Sequence, residues 1–163
     1  MTKTNYLRFI GIDRADAKLD IANLDPNSGR IDESIISSKP ESLADWVREL
    51  RQQLLKSGSG RIAICIEQPC ASVATFLHQF DFIDLFLINP KILKAYRESI
   101  HLTGAKDDRK DAACLAQMLH ERHHSLRVWR PDSAEVRELG FLLKHRRNLV
   151  DQRTELTNRL TAI

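Results

Sequence analysis

Residues 6–13 read Tyr6-Leu-Arg-Phe-Ile-Gly-Ile-Asp13, a short apolar run that ends in a carboxylate. Runs of this length and composition are typical of a buried β-strand. A second run of the same kind, Arg61-Ile-Ala-Ile-Cys-Ile-Glu67, also ends in an acid. A carboxylate at the end of a buried strand costs solvation energy unless a partner compensates it, and a divalent cation is a common partner. Asp13 and Glu67 are therefore candidate metal ligands, although an aspartate at position 13 also fits an ordinary turn.

Two more acids, Asp108 and Asp111, open a stretch whose apolar periodicity predicts a helix over residues 108–122. Residues three or four apart share a helix face, so the pair is either Asp108 with Asp111 or Asp107 with Asp111. The competing interpretation is structural, with Asp108 as the N-cap and Asp111 favoured by the helix dipole. If the pair converges with the two strand-end acids, the four carboxylates would hold two Mg²⁺ ions, an arrangement typical of metal-dependent nucleases.

The remaining hydrophobic periodicity predicts the element order β-β-β-α-β-α-β-α-α. The predicted strands cover residues 6–13, 18–23, 31–38, 61–67 and 83–88, and the predicted helices begin near residues 42, 70, 90, 108 and 129–133. Three antiparallel strands followed by two strands with helical crossovers form the strand order of the ribonuclease-H-like fold, in which the first and fourth strands are neighbours. We therefore predict an α/β protein with a mixed sheet, flanking helices and a long C-terminal helix. In this fold the two strand-end acids lie side by side.

The composition is that of an ordinary globular protein, with 29% charged and 42% hydrophobic residues among 163. This length suits one domain, predicted over residues 1–130, with an appended helix over residues 131–163. No apolar run approaches the roughly 20 residues of a membrane helix and no signal peptide is recognisable, which favours the cytoplasm and no membrane partner. The odd number of cysteines, without C-x-x-C spacing, predicts reduced, buried thiols at Cys65, Cys70 and Cys114.

Positive charge is concentrated in the second half of the chain. Residues 1–90 carry 10 Lys and Arg against 12 Asp and Glu, whereas residues 91–163 carry 15 against 10. The asymmetry favours a polyanion such as DNA as a partner, although a solvated charged surface explains it equally well. The candidate nucleic-acid contacts are Lys106, Arg109 and Lys110 beside the paired acids, and Arg146, Arg147 and Arg153 on the last helix. An alternative role for Lys106, Arg109 and Lys110 is to reduce the repulsion between the carboxylates without contacting nucleic acid.

The last predicted helix carries a seam of residues at heptad spacing. The seam consists of Leu139, Leu142, Arg146, Leu149, Arg153, Leu156, Leu160 and Ile163. A continuous helix from Asp132 to the last residue would run about 50 Å at 1.5 Å per residue, which is long for a domain of this size. Such a seam predicts self-association through a partner helix. The alternative is a helix that folds back on its own sheet, with its two arginines extending to solvent.

Six short motifs are spread along nearly the whole chain. They are Gly11-Ile-Asp13, Lys18-Leu-Asp20, Ile66-Glu67, Ile88-Asn89-Pro90, Lys106-Asp-Asp-Arg-Lys-Asp-Ala112 and Arg153-Thr-Glu-Leu-Thr-Asn-Arg-Leu160. Together they resemble the motifs of the DEDD-type insertion-sequence transposases, a family that includes bridge-RNA-guided recombinases and Piv-like DNA invertases. The resemblance implies a RuvC-like, ribonuclease-H-fold catalytic domain with Asp13, Glu67, Asp108 and Asp111 as its metal-binding catalytic tetrad. The resemblance also implies that Asp108, rather than Asp107, is the partner of Asp111, because the paired acids of the family are three residues apart.

For function, the resemblance implies Mg²⁺-dependent cleavage and exchange of DNA strands during transposition, with two Mg²⁺ ions for which Mn²⁺ can substitute. The implied partners are transposon-end and target DNA, a guide RNA in part of the family and a second copy of the chain, in the bacterial cytoplasm at the nucleoid. Members of the family continue into a second domain with a catalytic serine, and this chain stops at Ile163, so we expect it to be incomplete for recombination. Two other hypotheses stay open: a stand-alone Holliday-junction resolvase, and a non-catalytic nucleic-acid-binding or assembly module with the same fold.

Overall fold

A computed structural model of the chain describes residues 5–15, 17–57, 60–68, 71–100 and 111–161. The strands are β1 (Tyr6–Ala15), β2 (Lys18–Leu24), β3 (Ile31–Ser37), β4 (Arg61–Glu67) and β5 (Ile83–Ile88). The helices are α1 (Pro40–Lys56), α2 (Ala71–Leu77), α3 (Pro90–Ile100), α4 (Asp111–Arg122) and α5 (Ala134–Thr161), with a short 3-10 helix at His123–Ser125. The strands and longer helices follow one another in the predicted order, and β4 and β5 have the predicted boundaries.

Two helix boundaries differ from the sequence expectation, and a third is partly outside the described residues. Helix α1 begins at Pro40, two residues before the predicted start, after Lys39 in extended backbone (φ −66°, ψ 142°). Proline suits the first helical position because its fixed φ matches the helix and its missing N–H would have no helical partner there. Helix α5 begins only at Ala134. The predicted helical residues 108–110 lie outside the described part of the chain, which resumes at the first residue of α4.

The five strands form one mixed sheet in the order β3-β2-β1-β4-β5. Strand β2 pairs antiparallel with both β1 and β3, whereas β4 pairs parallel with β1 and β5 pairs parallel with β4. Strands β1 and β4 are therefore neighbours, and their register aligns Ile12 with Ile66. This sheet, with flanking helices and a long C-terminal helix, confirms the predicted ribonuclease-H-like class.

The side chains of β1 and β4 alternate between two hydrophobic cores, one on each face of the sheet. The even-numbered isoleucines of the two strands pack with α1 and α2: Ile10, Ile12, Ile62, Ile64 and Ile66. On the opposite face, Phe9, Ala63 and Cys65 pack with α3 and α4. Because both faces are covered, both strands read as nearly continuous apolar runs. The same alternation places the odd-numbered Asp13 and Glu67 on the face covered by α3 and α4.

The segment that follows the 3-10 helix covers the outer edge of β5. The backbone N–H of Trp129 donates to the carbonyl oxygen of Leu85 at an N···O distance of 2.7 Å. Leu126 and Val128 pack against the core under α3 and α4, whereas Trp129 packs against the core under α1 and α2. An edge strand exposes unpaired backbone groups, so this segment protects β5 from pairing with another chain.

The chain divides into two compact units, Met1–Arg130 and Pro131–Ile163. The first holds the sheet, and within it Cys65 and Cys114 are buried free thiols, as predicted; Cys70 lies outside the described residues. The second holds α5, whose large apolar side chains are exposed along its length, from Val136 at 51% to Leu160 at 74%. None of the helices in the described ranges combines the length and the hydropathy needed to span a bilayer.

Candidate metal centre

Three carboxylates from three separate elements meet at one edge of the sheet. Asp13 lies near the end of β1, Glu67 is the last residue of β4, and Asp111 is the first residue of α4. One oxygen atom of each carboxylate lies within 4.8 Å of the corresponding atoms of the other two, and all three residues are half-buried. We call this group the acid triad.

The two strand acids are brought together by the parallel pairing of β1 and β4. Ile12 and Ile66 are register partners, so the next residue in each strand is Asp13 and Glu67 respectively. Successive residues of a strand point to opposite faces, so both acids leave the isoleucine face and lie under α4. Parallel strands end at the same edge of a sheet, and this is why residues 54 positions apart in the sequence are neighbours here.

A glycine on β1 allows the third acid to reach the other two. Gly11 lies two residues before Asp13 on the same face, directly beneath α4. A Cβ atom at this position would overlap the backbone oxygen of Ala112 and would lie 2.6 Å from the backbone nitrogen of Ala116. Only glycine permits so close an approach of helix and strand. Since Ala112 follows Asp111, this contact fixes the start of α4 beside the strand ends.

Burial and mutual repulsion both act on the Asp13 carboxyl group. Burial raises the pKa of Asp13 above its usual value, and the negative charges of Asp111 and Asp20 raise it further. A backbone hydrogen bond from Arg14 and the positive charge of Arg97 lower the pKa, but the net direction stays upward. Asp20 contributes because it is the direct partner of Asp13 across the antiparallel β1–β2 pair.

Glu67 shows the same direction for the same reasons. Burial raises the pKa of Glu67, the charges of Asp13 and Asp111 raise it further, and Arg97 lowers it. The raised pKa values of these two neighbouring acids indicate that burial and mutual repulsion outweigh the compensation from the described residues. Metal sites and catalytic sites are places where such uncompensated carboxylates occur.

Within the described residues, one basic side chain contacts the triad directly. The Arg97 guanidinium, on α3, lies with Nη2 2.6 Å from Oδ1 of Asp111. Both side chains are about a third exposed, at 33% and 39%. The Nε atom of Arg97 is buried and has no hydrogen-bond partner in the part of the chain that the structure describes.

The donor set of the triad fits a hard divalent cation. All three groups offer carboxylate oxygens, which Mg²⁺ and Mn²⁺ prefer, and no sulfur or imidazole donor belongs to this described cluster. Half-burial weakens the competition from water without closing the site to a substrate. A divalent cation would also offset the burial and the mutual repulsion that raise the pKa values of Asp13 and Glu67.

The predicted site residues fall into three groups in the structure. It brings Asp13, Glu67 and Asp111 together. It exposes Arg146, Arg147 and Arg153 on α5, in the second unit. Five residues that the sequence analysis considered lie outside the described residues: Lys106, Asp107, Asp108, Arg109 and Lys110.

Sequence reasoning missed Arg97, although a signal was present. Leu93 and Tyr96 are the buried residues of α3, and position 97 lies four residues after Leu93, on the same helical face. A charged residue on the apolar face of an amphipathic helix requires a partner, and Asp111 is that partner. The pairing could not be read from the sequence because it depends on how α3 packs beside α4.

Comparison with known proteins agrees with this geometry. The family model of the DEDD transposases of the IS110 type, described as a transposase, matches residues 10–163. The chain is also 27% identical over 152 residues to the protein named "Putative transposase y4uE" from Sinorhizobium fredii (strain NBRC 101917 / NGR234). That match covers 93% of this chain and 42% of the relative, so the chain spans about two fifths of the relative's length. With a family model covering almost the whole chain, the chain belongs to the IS110-type DEDD transposase family.

Proposed function

We propose that residues 1–130 form the catalytic domain of a transposase, in which the acid triad binds divalent metal ions that assist cleavage and exchange of DNA strands. The observation that carries the proposal is the convergence of Asp13, Glu67 and Asp111 within 4.8 Å. These acids come from three elements distant in sequence, and the pKa values of Asp13 and Glu67 are raised. Membership of the transposase family supports the same function.

Asp108 is the fourth ligand in this proposal. It stands three residues before Asp111 in the sequence, and the motif of the family has the same spacing. Four carboxylates are sufficient for two metal ions, and we propose Mg²⁺, with Mn²⁺ as a substitute. When bound, such ions stabilise the negative charge that develops on a phosphate during displacement.

The residues of the chain itself would have three roles. The strand acids Asp13 and Glu67 hold the ligand oxygens on a rigid sheet edge, while Asp111 closes the site from the helix above it. Burial raises the pKa values of Asp13 and Glu67, so a bound cation would favour their ionised forms and couple the site to its metal. The attacking group is not part of the triad: in this family it is a serine of a second domain, and we propose that such a serine attacks the phosphate here.

DNA is the proposed substrate, and the cytoplasm, at the nucleoid, is the proposed location. Lys106, Arg109 and Lys110 surround the paired acids in the sequence and would contact phosphates next to the metals. Arg146, Arg147 and Arg153 are exposed on α5 and would extend the contact along the DNA. These cations are scattered, so we expect modest affinity that falls steeply with salt. A guide RNA would use the same electrostatic contacts.

The experiment uses the mutual dependence of metal and DNA binding. If a DNA phosphate completes the coordination of the bound ion, each ligand must strengthen the binding of the other. Fluorescence anisotropy of labelled branched and linear duplexes, at low salt, should show several-fold tighter binding in Ca²⁺ than in EDTA. Ca²⁺ is used in place of Mg²⁺ because both ions bind oxygen ligands.

Two variants make that experiment decisive. Asp13→Asn should bind DNA with the same affinity in Ca²⁺ and in EDTA, because the coupling requires the triad. Asp32→Asn is the matched control, since Asp32 is an exposed acid of β3 that pairs only with Arg30 among the ion pairs described. An equal Ca²⁺ effect in wild type and Asp13→Asn would contradict the proposed site. Cleavage of branched DNA by the wild-type chain alone in Mg²⁺ would favour the resolvase hypothesis.

A second copy of the chain is the proposed partner of α5. Five leucines of the heptad seam are exposed by more than half: Leu139, Leu142, Leu149, Leu156 and Leu160. A helix with such a seam is stabilised when a partner helix covers it. The seam arginines, Arg146 and Arg153, would weaken a purely apolar contact and so help to set the register.

Light scattering tests this partner. The double variant Leu149→Glu/Leu156→Glu should be a monomer at concentrations where the wild type associates. Phe141→Glu is the matched control, because Phe141 is 69% exposed and lies about 200° around the helix from Leu139, away from the seam. If the wild type is itself monomeric at high concentration, α5 is not an oligomerisation helix.

A further inference from the structure

Arg97 is the basic residue that links the acid triad to α3. It follows Tyr96, which is almost fully buried and whose hydroxyl group donates to the Oε2 atom of Glu121 at 2.9 Å. The guanidinium of Arg122 also lies over the Tyr96 ring, 4.9 Å from its centroid. Helix α3 is thereby anchored to α4, the helix that begins with Asp111. The contacts of Tyr96 with α4 therefore fix the backbone position of the neighbouring Arg97.

The influence of Arg97 extends beyond its direct partner. Its Nη2 atom contacts Oδ1 of Asp111, and its positive charge lowers the pKa of both Asp13 and Glu67. Two roles fit these contacts. Arg97 is either a counter-charge that only reduces repulsion in the metal-free site, or a side chain that orients the Asp111 carboxylate for a metal.

The location of Asp111 favours the orienting role. Asp13 and Glu67 belong to paired strands, where the hydrogen-bond ladder fixes the backbone. Asp111 instead belongs to α4, outside the hydrogen-bond ladder of the sheet, and its carboxylate contacts Arg97. A guanidinium holds a carboxylate in a defined plane, which an ammonium group does not. A carboxylate has two oxygens, so Asp111 can bind Arg97 with one and a cation with the other.

We propose that Arg97 is a positioning residue of the metal site, which orients the Asp111 carboxylate through their ion pair. This inference rests on the proposed function, because it requires the triad to bind a metal ion. Partners that orient a metal ligand typically contribute 10- to 100-fold to metal affinity. The two roles of Arg97 therefore predict opposite signs: loss of an orienting partner weakens metal binding, whereas loss of a mere counter-charge strengthens it.

The experiment is an Mn²⁺ titration of the full chain, by calorimetry and by the electron paramagnetic resonance signal of free Mn²⁺. Arg97→Gln should bind Mn²⁺ about tenfold more weakly than wild type. Lys94→Gln, which removes the same charge from an exposed position one turn earlier on α3, should bind as wild type does. Circular dichroism and melting in EDTA establish that each variant is folded.

Arg97→Lys keeps the charge and removes the planar fork, so it also separates the two roles if Arg97→Gln does not fold. It should bind Mn²⁺ more weakly than wild type. Wild-type or tighter affinity in either Arg97 variant would overturn the positioning role. Asp13→Asn is measured beside them: if wild type binds no Mn²⁺ that Asp13→Asn abolishes, the metal site itself fails, independently of Arg97.

Discussion

The half-buried acids at the two ends of the parallel strands differ in how far their charge is compensated. At the first edge, where the strands begin, Asp84 of β5 accepts hydrogen bonds from Tyr6 of β1 and from Arg61 of β4. The Tyr6 hydroxyl lies 2.9 Å from Oδ2, and Nε and Nη2 of Arg61 each lie 2.7 Å from an oxygen of Asp84. Burial alone would raise the pKa of Asp84, but these hydrogen bonds outweigh it and the pKa is lowered.

At the other edge, where the strands end, the described residues compensate the acid triad less completely. Arg97 binds Asp111, yet the pKa values of Asp13 and Glu67 stay raised. Strands β1 and β4 thus contribute to a closed ion-pair network at one edge and to an under-compensated acid cluster at the other. The first arrangement stabilises the fold, whereas the second is what a cation-binding site requires. We call them the closed edge and the open edge.

The largest expected effect comes from Gly11, which allows α4 to pack against β1 beside the open edge. Gly11→Ala would force α4 away from β1, because the new Cβ overlaps backbone atoms of Ala112 that cannot rotate away. We expect a loss of about 3 kcal/mol in the free energy of unfolding, typical of severe overpacking. Urea denaturation measures it. Gly140→Ala is the control, since nothing lies near its Cβ, and it should be neutral or stabilising. A neutral Gly11→Ala would show that α4 is not held by this contact.

Removing one charge at each edge should have opposite effects on the metal-free protein. Asp84→Asn breaks the ion pair with Arg61 and should destabilise the fold by about 2 kcal/mol. Asp13→Asn relieves repulsion and should stabilise it, by less than about 1 kcal/mol because the site is partly exposed to solvent. Denaturation in EDTA, at low salt, compares both with wild type. Destabilisation of similar size in both variants would remove the distinction between the edges.

The two edges should also differ in their response to pH. The folded protein holds protons on Asp13 and Glu67 more tightly than the unfolded chain does. In the unfolded chain their pKa values are near 3.8 and 4.5, respectively. As the pH falls through their raised pKa values, these groups therefore add to stability. Asp84 has a lowered pKa, so its contribution is present above 3.8 and is lost as the pH falls through its lowered value.

Denaturation between pH 7 and pH 4.5, without metal, isolates the open edge. The double variant Asp13→Asn/Glu67→Gln should lack the stabilising component that wild type gains on acidification. Acids remote from the triad are common to both proteins, so the difference between the two curves is the measured quantity. If the difference in the free energy of unfolding between the two proteins is constant across this range, repulsion and burial of the triad carboxylates do not affect stability.

The strands and the two strand acids could be predicted from the sequence because both signals are local. Alternation and apolar runs define β1 and β4, and an acid that ends such a run is visible by inspection. The register that joins Asp13 to Glu67 follows from the fold class. The approach of Asp111 depends on a close contact at Gly11, and the role of Arg97 depends on how α3 packs beside α4. Contacts between distant segments cannot be read from a local pattern, so the sequence predicted Asp111 as a ligand but not its ion pair with Arg97.

The central claim is that the open edge binds a divalent cation, and thermal melting in Mg²⁺ or Mn²⁺ tests it most directly. A ligand at ten times its Kd stabilises the folded state by about 1.4 kcal/mol, which raises the Tm of a chain of this size by roughly 4 °C. We predict such a rise in wild type and in Asp84→Asn, which alters only the closed edge, and none in Asp13→Asn. An equal rise in wild type and Asp13→Asn, or no rise in any of the three, would contradict the account.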